Sequence, residues 1–192
     1  MKRLILFRHG QRYLDWCENP DDGPLVLVHS DALINNARQL GVSLTDRGVS
    51  EIDFVAVSGS IRCAETFAYI WRSLMDCGIR IATYDMWSEF FGTEEEGAMF
   101  RTIYRDKRAE FEELRKQGGE VAAYCTLIPD AVIPCALRTR DALSHAFARG
   151  AATVMAVTHS PHEALIEAAF TGEILRRDPI MQGAYKMIEL PD

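Results

Sequence analysis

The sequence predicts an α/β chain, a layered sheet with helices on both faces. Two observations carry this reading. Short, uninterrupted apolar runs at 4–7, 54–57 and 153–157 read as strands buried on both faces. Between them apolar residues recur at helical spacing, so that strand and helix alternate along the chain. The 192 residues, 48% of them hydrophobic, suit one domain that buries its core without disulfide or metal staples.

Taken in order, the first strand is Leu4-Ile5-Leu6-Phe7, which stops at Arg8-His9-Gly10. The run Asn19-Pro20-Asp21-Asp22-Gly23-Pro24 is dense in turn formers and reads as a loop. A helix is predicted from Ser30 or Asp31, either of which can cap it, through Leu33, Ile34, Ala37, Leu40 and Leu44 to a stop at Gly48. The second strand, Phe54-Val55-Ala56-Val57, ends at Ser58-Gly59-Ser60. Ile61 to Cys77 places Ile61, Ala64, Phe67, Ala68, Trp71, Leu74 and Met75 along one helical face, with Gly78 just past its end. A third strand is predicted at Arg80 to Tyr84. Residues 99 to 116 form one amphipathic helical pattern through Met99, Phe100, Ile103, Tyr104, Phe111 and Leu114, interrupted at Gly118-Gly119. The segment 118–135, with Pro129 and Pro134, yields no assignment. Ala136 to Phe147 reads as a helix ended by Gly150, and Thr153 to Val157 as a strand that terminates at Thr158-His159. Helical spacing resumes from Glu163 to Phe170, and Tyr185 to Leu190 reads as the last strand.

Charge and cysteine content narrow the function. A net charge of −7 and a pI near 5.3 oppose a surface built to neutralise nucleic acid or an anionic membrane. Any bound anion must then be held by local arginines. Five cysteines, at 17, 63, 77, 125 and 135, form no C-x-x-C pair, so neither a disulfide framework nor a zinc knuckle is suggested, and a reducing compartment fits best. Only four apolar residues separate Arg3 from Arg8, too few for a signal-peptide core, and no later run approaches the length of a membrane span. The expectation is a cytoplasmic protein.

In open α/β sheets, ligands bind outside the carboxyl ends of the strands. Three predicted strands end in polar residues: one at Arg8-His9, one before Ser58-Gly59-Ser60 and Arg62, one at His159. If those ends converge, two imidazoles meet the Arg8 and Arg62 guanidiniums, with Arg12 nearby. Guanidiniums hold tetrahedral oxyanions bidentately and stay charged. A neutral imidazole beside them can attack phosphorus, and neighbouring cations favour that neutral form. An acid must protonate the leaving oxygen, and the loop from Glu89 to Gly97 supplies candidates. His159 and His162 make an H-x-x-H, but without further ligands nearby no metal site is expected. Glu94-Glu95-Glu96 reads as a solvated loop, Cys63 and Cys125 as small buried residues, and the 99–114 stripe as packing. That stripe also suits a lid from which Arg101, Tyr104 or Arg105 reaches a substrate.

Phe7-Arg8-His9-Gly10-Gln11 resembles the RHG signature of the histidine phosphatase superfamily, the phosphoglycerate-mutase-like proteins, in its branch 1 form. Val57-Ser58-Gly59-Ser60-Ile61-Arg62-Cys63-Ala64-Glu65-Thr66 is similar to the family segment S-S-x-x-x-R-A-x-x-T-A, and Val157-Thr158-His159-Ser160 to its second-histidine motif. Trp87-Ser88-Glu89, then Gly92 and Glu96-Gly97, resembles the proton-donor stretch L-x-E-x-x-x-G-x-x-E-G. The resemblance implies a three-layer α/β/α sandwich with a mixed, mostly parallel central sheet. It implies a single domain over 1–192, with a helical insertion or lid at about 98–135. His9 would accept the phosphoryl group, Arg8, Arg62 and His159 would bind its oxygens, and Glu89 would serve as general acid and then activate water. Arg12 resembles the R-H-G-x-R variant and would add a third phosphate arginine. The Glu89-to-Gly92 spacing is one residue short of the pattern, so Glu94, Glu95 and Glu96 compete for the acid role. Leu44-Thr45-Asp46-Arg47-Gly48 imitates the family's L-T-x-x-G and is read here as a helix end. No cofactor or metal is implied.

The function expected is a phosphatase acting through phosphohistidine at His9 on a small phosphorylated metabolite. Alternatives are a phosphoglycerate-mutase-type phosphotransferase, a protein or phosphohistidine phosphatase, and a non-catalytic phosphate-binding module. Expected partners are a small phosphorylated substrate, no nucleic acid and no membrane, with a homodimer left open.

Overall fold

The computed structural model describes residues 1–10, 30–87, 94–172 and 180–191. Within these lie β1 (Lys2–Arg8), α1 (Ser30–Asp46), β2 (Glu51–Ser58), α2 (Ile61–Asp76), β3 (Arg80–Trp87) and α3 (Glu94–Asp106). They are followed by α4 (Arg108–Gly118), α5 (Glu120–Leu127), α6 (Pro129–Ala148), β4 (Thr153–Thr158), α7 (His162–Thr171) and β5 (Tyr185–Leu190). The strands form one sheet in the order β3-β2-β4-β1-β5, parallel throughout except for β5, which runs antiparallel to β1. The expected mixed, mostly parallel sheet between helical layers is what the chain adopts.

Alternation along the strands builds the layers, because successive side chains leave opposite faces. Ile5 and Phe7 of β1, with Val55, Val57, Met155 and Val157, pack against Leu33, Ala37, Leu40 and Leu44 of α1 and Phe67, Ile70 and Leu74 of α2. Leu4, Leu6, Ala56, Val154 and Ala156 point the other way, onto Leu143, Ala146 and Phe147 of α6 and Ile166 of α7. A third cluster lies away from the sheet. It joins Ile103 of α3, Phe111 of α4, Tyr124 of α5, Val132 of α6 and Leu165 of α7.

Strand register positions the candidate site. Arg8 pairs with Thr158, and Val57 with Val157, so β1, β2 and β4 end at one level. His9, Ser58 and His159 leave the sheet together. Ser60 then caps α2, its side chain accepting from the Cys63 backbone N–H at 3.4 Å. Gly48 follows α1 at φ +71°, in the left-handed region, so the L-T-D-R-G stretch does lie at a helix C-terminus.

Among the boundaries that differ from those predicted, three bear on the packing. The single helix expected over 99–116 is two, α3 and α4, broken at Lys107, whose φ −122° and ψ 18° are non-helical. In one straight helix Phe100 and Phe111 would share a face but stand ~16 Å apart at ~1.5 Å per residue. Instead both rings pack on Tyr124, at 5.5 and 4.7 Å between centroids, which requires the chain to fold back. The helix predicted from Ala136 begins at Pro129, with Pro134 inside it. Pro129 occupies a first-turn position where no N–H is needed. Pro134 deprives the Asp130 carbonyl of its helical donor, and Asp130 is at an exposed position. Lastly, β3 continues three residues past Tyr84, as an exposed edge. Among the described residues no single helix is long and apolar enough to cross a membrane.

Gly41 shows how closely α1 and α2 meet: a Cβ there would lie 2.7 Å from Cys77 Sγ and 2.8 Å from its Cβ. Alanine is the better helix former, but overpacking outweighs that gain. Gly41→Ala is expected to lower unfolding stability by ~1–3 kcal/mol in a denaturant titration. Adding Cys77→Gly, which removes both obstructing atoms, should recover part of the loss; unchanged stability in the single variant would show that α2 shifts freely.

Candidate active site

At the tip of β1 the His9 backbone N–H donates to Thr158 O at 2.8 Å, fastening this turn to the end of β4. The His9 ring is buried, with Nδ1 2.6 Å from Gly10 O. A carbonyl only accepts, so Nδ1 carries the proton, and the lone pair of a neutral ring sits on Nε2. Gly10 N–H donates to Thr66 Oγ1 at 2.9 Å, and that hydroxyl donates to Arg62 O at 2.7 Å. The first turn of α2 is thereby docked against the RHG turn.

His159 emerges beside it, also buried, with ring centroids 6.3 Å from His9 and planes inclined by 52°. Cys63 Sγ lies 3.9 Å from His159 Nδ1, so the residue after Arg62 touches the second histidine. The structure thus brings together the turns that carry His9, Arg62 and His159. Arg62 Nε is buried, with no hydrogen-bond partner among the described residues. Arg8 points to the α7 side of the sheet, as alternation with His9 requires. Its Nη1 donates to Ile180 O at 2.8 Å and its Nε lies 3.9 Å from Glu163 Oε1.

Two buried titratable groups stand behind the second histidine. His162 sits edge-on to His159, centroids 4.7 Å apart, and tilted over Phe100 of α3. Burial pushes its pKa down to about 4, so the ring is neutral at physiological pH. Glu163 is wholly buried in the first turn of α7. Burial pushes its carboxyl up to about 7, opposed by the Arg8 charge and reinforced by the Glu120 carboxylate. Ser160 Oγ donates to Glu120 Oε1, joining α5 to the residue after His159.

Glu89 and Arg12 lie outside the described residues, as does the Glu94 side chain. The other members of the acidic run are placed. Glu95 is exposed, but Glu96 is not in a solvated loop as expected: it is buried near the start of α3 and ion-paired to Arg138 of α6. A carboxylate held in that way anchors the helix and is a poor rival to Glu89 as a proton donor. Of the residues expected to reach a substrate from a lid, Arg101 is exposed, Arg105 is held bidentately by Asp106 at the surface, and the Tyr104 side chain lies outside the described set. Among the described residues no group of three or more His, Cys, Asp or Glu side chains is arranged to hold a metal ion. Sequence reasoning missed Glu163 and Glu120. Glu163 had a signal, since four residues beyond His159 is one helical turn, whereas Glu120 approaches only through tertiary packing.

His162 and Glu163 oppose each other in acid. A histidine with a lowered folded pKa contributes stability present above about 6.5 and lost as the pH falls through about 4. A carboxyl with a raised folded pKa contributes stability present below 4.5 and lost as the pH rises through about 7. His162→Phe removes only the first. Between pH 7 and pH 4 its unfolding free energy should fall less steeply than the native protein's, by up to roughly 3 kcal/mol. Parallel curves would mean that the ring titrates alike in the folded and unfolded chains.

No protein-family model matches the sequence, and no curated protein does. Solved structures do match. A phosphoglycerate mutase from Bacillus anthracis superposes with a TM-score of 0.57 at 14% identity, covering 98% of this chain and 92% of that one. A mycobacterial glucosyl-3-phosphoglycerate phosphatase gives 0.56 at 15% identity, over 98% and 90%. The protein histidine phosphatase SixA, complexed with tungstate, gives 0.52 at 16% identity, over 97% and 94%. The described sheet, its one antiparallel strand and its two helical layers agree with that likeness, and the chain has the phosphoglycerate-mutase-like fold.

Proposed function

We propose that the chain is a phosphatase of the histidine phosphatase superfamily, hydrolysing the phosphate monoester of a small metabolite in the cytoplasm through a phosphohistidine at His9. The observation that carries the reading is the Nδ1-to-Gly10 hydrogen bond. It fixes the tautomer that leaves Nε2 as nucleophile, on a ring facing His159 at a convergence of strand ends. The described cysteines are thiols, which supports the cytoplasmic part of the reading.

In the first step His9 Nε2 attacks phosphorus in line, the N–P bond forms and the P–O bond to the substrate alcohol breaks. Arg8, Arg62 and His159 stabilise the charge on the non-bridging oxygens, with Arg12 as a further donor. Glu89 gives its proton to the departing alkoxide and, as carboxylate, takes one from the water that then attacks phosphorus. Phosphate leaves and His9 is regenerated with its lone pair on Nε2. Every role in this scheme belongs to a side chain. Hydrolysis, rather than phosphotransfer of the mutase type, is favoured by the departures after the RHG turn, where Arg12 and Asp15 replace the usual Thr or Ser and Asn.

The test is turnover of an aryl phosphate in the presence of a metal chelator. Native protein is expected to be active and His9→Ala inactive, while Arg62→Ala should lose roughly 10- to 100-fold in kcat/KM, the worth of a charge-assisted contact of about 1.5–3 kcal/mol. Glu89→Gln should lower kcat with little change in oxyanion affinity. Full activity of His9→Ala would end the phosphohistidine reading; oxyanion binding without turnover on any ester would favour a binding module.

A further inference from the structure

We propose that Glu163 is the positioning residue of Arg8, and that it takes up a proton when an oxyanion binds, releasing the full arginine charge to the ligand. The proposal rests on the reading of Arg8 as a phosphate ligand. Three observations carry it. Glu163 is wholly buried, and among the described residues no side chain donates a hydrogen bond to either oxygen. Its Oε1 lies 3.9 Å from Arg8 Nε, while Arg8 Nη1 donates to Ile180 O, so the guanidinium is tethered by a carbonyl with the carboxylate close to its Nε. And α7, which carries Glu163, begins three residues after His159, so carboxylate and phosphate-binding turn share one rigid segment.

Among the described residues the charged and titratable surroundings are few. Arg8 comes from β1 and Glu120 from α5, the latter hydrogen-bonded to Ser160. His159 ends β4, and α7 adds His162, kept neutral by burial, and Glu167, which is paired to Lys186 of β5. On α6, Arg138 is paired to Glu96 and Arg140 to Asp141. An anion reaching Arg8 therefore meets a guanidinium already partly neutralised by one buried carboxylate, on which the Glu120 carboxylate also acts. Two negative groups on one part-buried cation repel, and the relief is protonation of the carboxyl that burial already holds near neutrality. The proton comes from solvent, and no covalent step is involved. Linkage then makes oxyanion affinity fall as the pH rises through neutrality, by up to tenfold for each unit by which binding raises the carboxyl pKa.

The probe is tungstate, a tetrahedral dianion that does not itself titrate near neutral pH. It is titrated calorimetrically into the full chain between pH 6.5 and 8.5, in buffers of different ionisation enthalpy. Native protein is expected to take up a fraction of a proton on binding. Glu163→Gln, which imitates the protonated carboxyl, should lose that uptake and flatten the pH dependence of affinity. Glu163→Asp should retain the uptake with a weaker affinity. If Glu163→Gln fails to fold, the native and Glu163→Asp titrations decide: no proton uptake in either overturns the proposal. Uptake and pH dependence in Glu163→Gln identical to native overturn it while leaving the phosphatase reading intact. Native protein that binds no tungstate overturns both.

Discussion

The pairing of β1 with β4 is the constraint on which the rest of this molecule depends. The two strands are distant in sequence and adjacent in the sheet, and their parallel register is set by apolar residues that must face the correct helical layer on each side. A slip of one residue would turn Ile5 and Phe7 away from α1 and α2 and expose the opposite set. Because the register is protected by that much buried surface, the tips are fixed too. The His9-to-Thr158 hydrogen bond is the last rung of the same ladder, extended one residue beyond β1. The geometry of the two histidines is therefore inherited from the core.

The two imidazoles are held differently. His9 donates an Nδ1–H hydrogen bond to the carbonyl of the next residue, an arrangement local to two residues of chain. His159 is set among other side chains, the Cys63 thiol of α2 and the ring of His162 in its own turn. A ring positioned by its own backbone keeps its tautomer as long as the turn survives. One positioned by neighbours responds to their charge and packing, in keeping with the oxygen-binding role proposed for His159.

The sheet and its flanking helices were legible in the sequence because their signals are local. Continuous apolar runs marked β1, β2 and β4, and Gly48 and Gly78 marked the ends of α1 and α2. The helical layer between α3 and α6 was not, because its breaks are made by tertiary packing. Nothing in the residues around Lys107 demands a break; the demand comes from Tyr124, on which both Phe100 and Phe111 converge. Pro134, a helix breaker by local rules, is tolerated inside α6 for a similar reason, since Ala131, Val132 and Cys135 around it are buried in that packing. The candidate site divides in the same way. His9, Arg62 and His159 stood at strand and helix ends where the pattern announced them, whereas Glu120 and the Glu96–Arg138 pair are visible only once α3, α5 and α6 are assembled.

The helices from α3 to the start of α6 share a hydrophobic cluster that contains no residue of the sheet. Helix α7 bridges the two regions within one step of its sequence: Leu165 belongs to the outer cluster and Ile166 to the sheet's own core. Mechanically, α7 is a partition with a different load on each side. Sequence drift in the outer helices can repack Tyr124 and its neighbours with little effect on the strand tips, as long as Phe100 still meets His162, Glu120 still reaches Ser160 and Leu165 still finds a surface to rest on. Such a chain can diverge quickly over one region and slowly over the other, and the rate of change along it should step at α7.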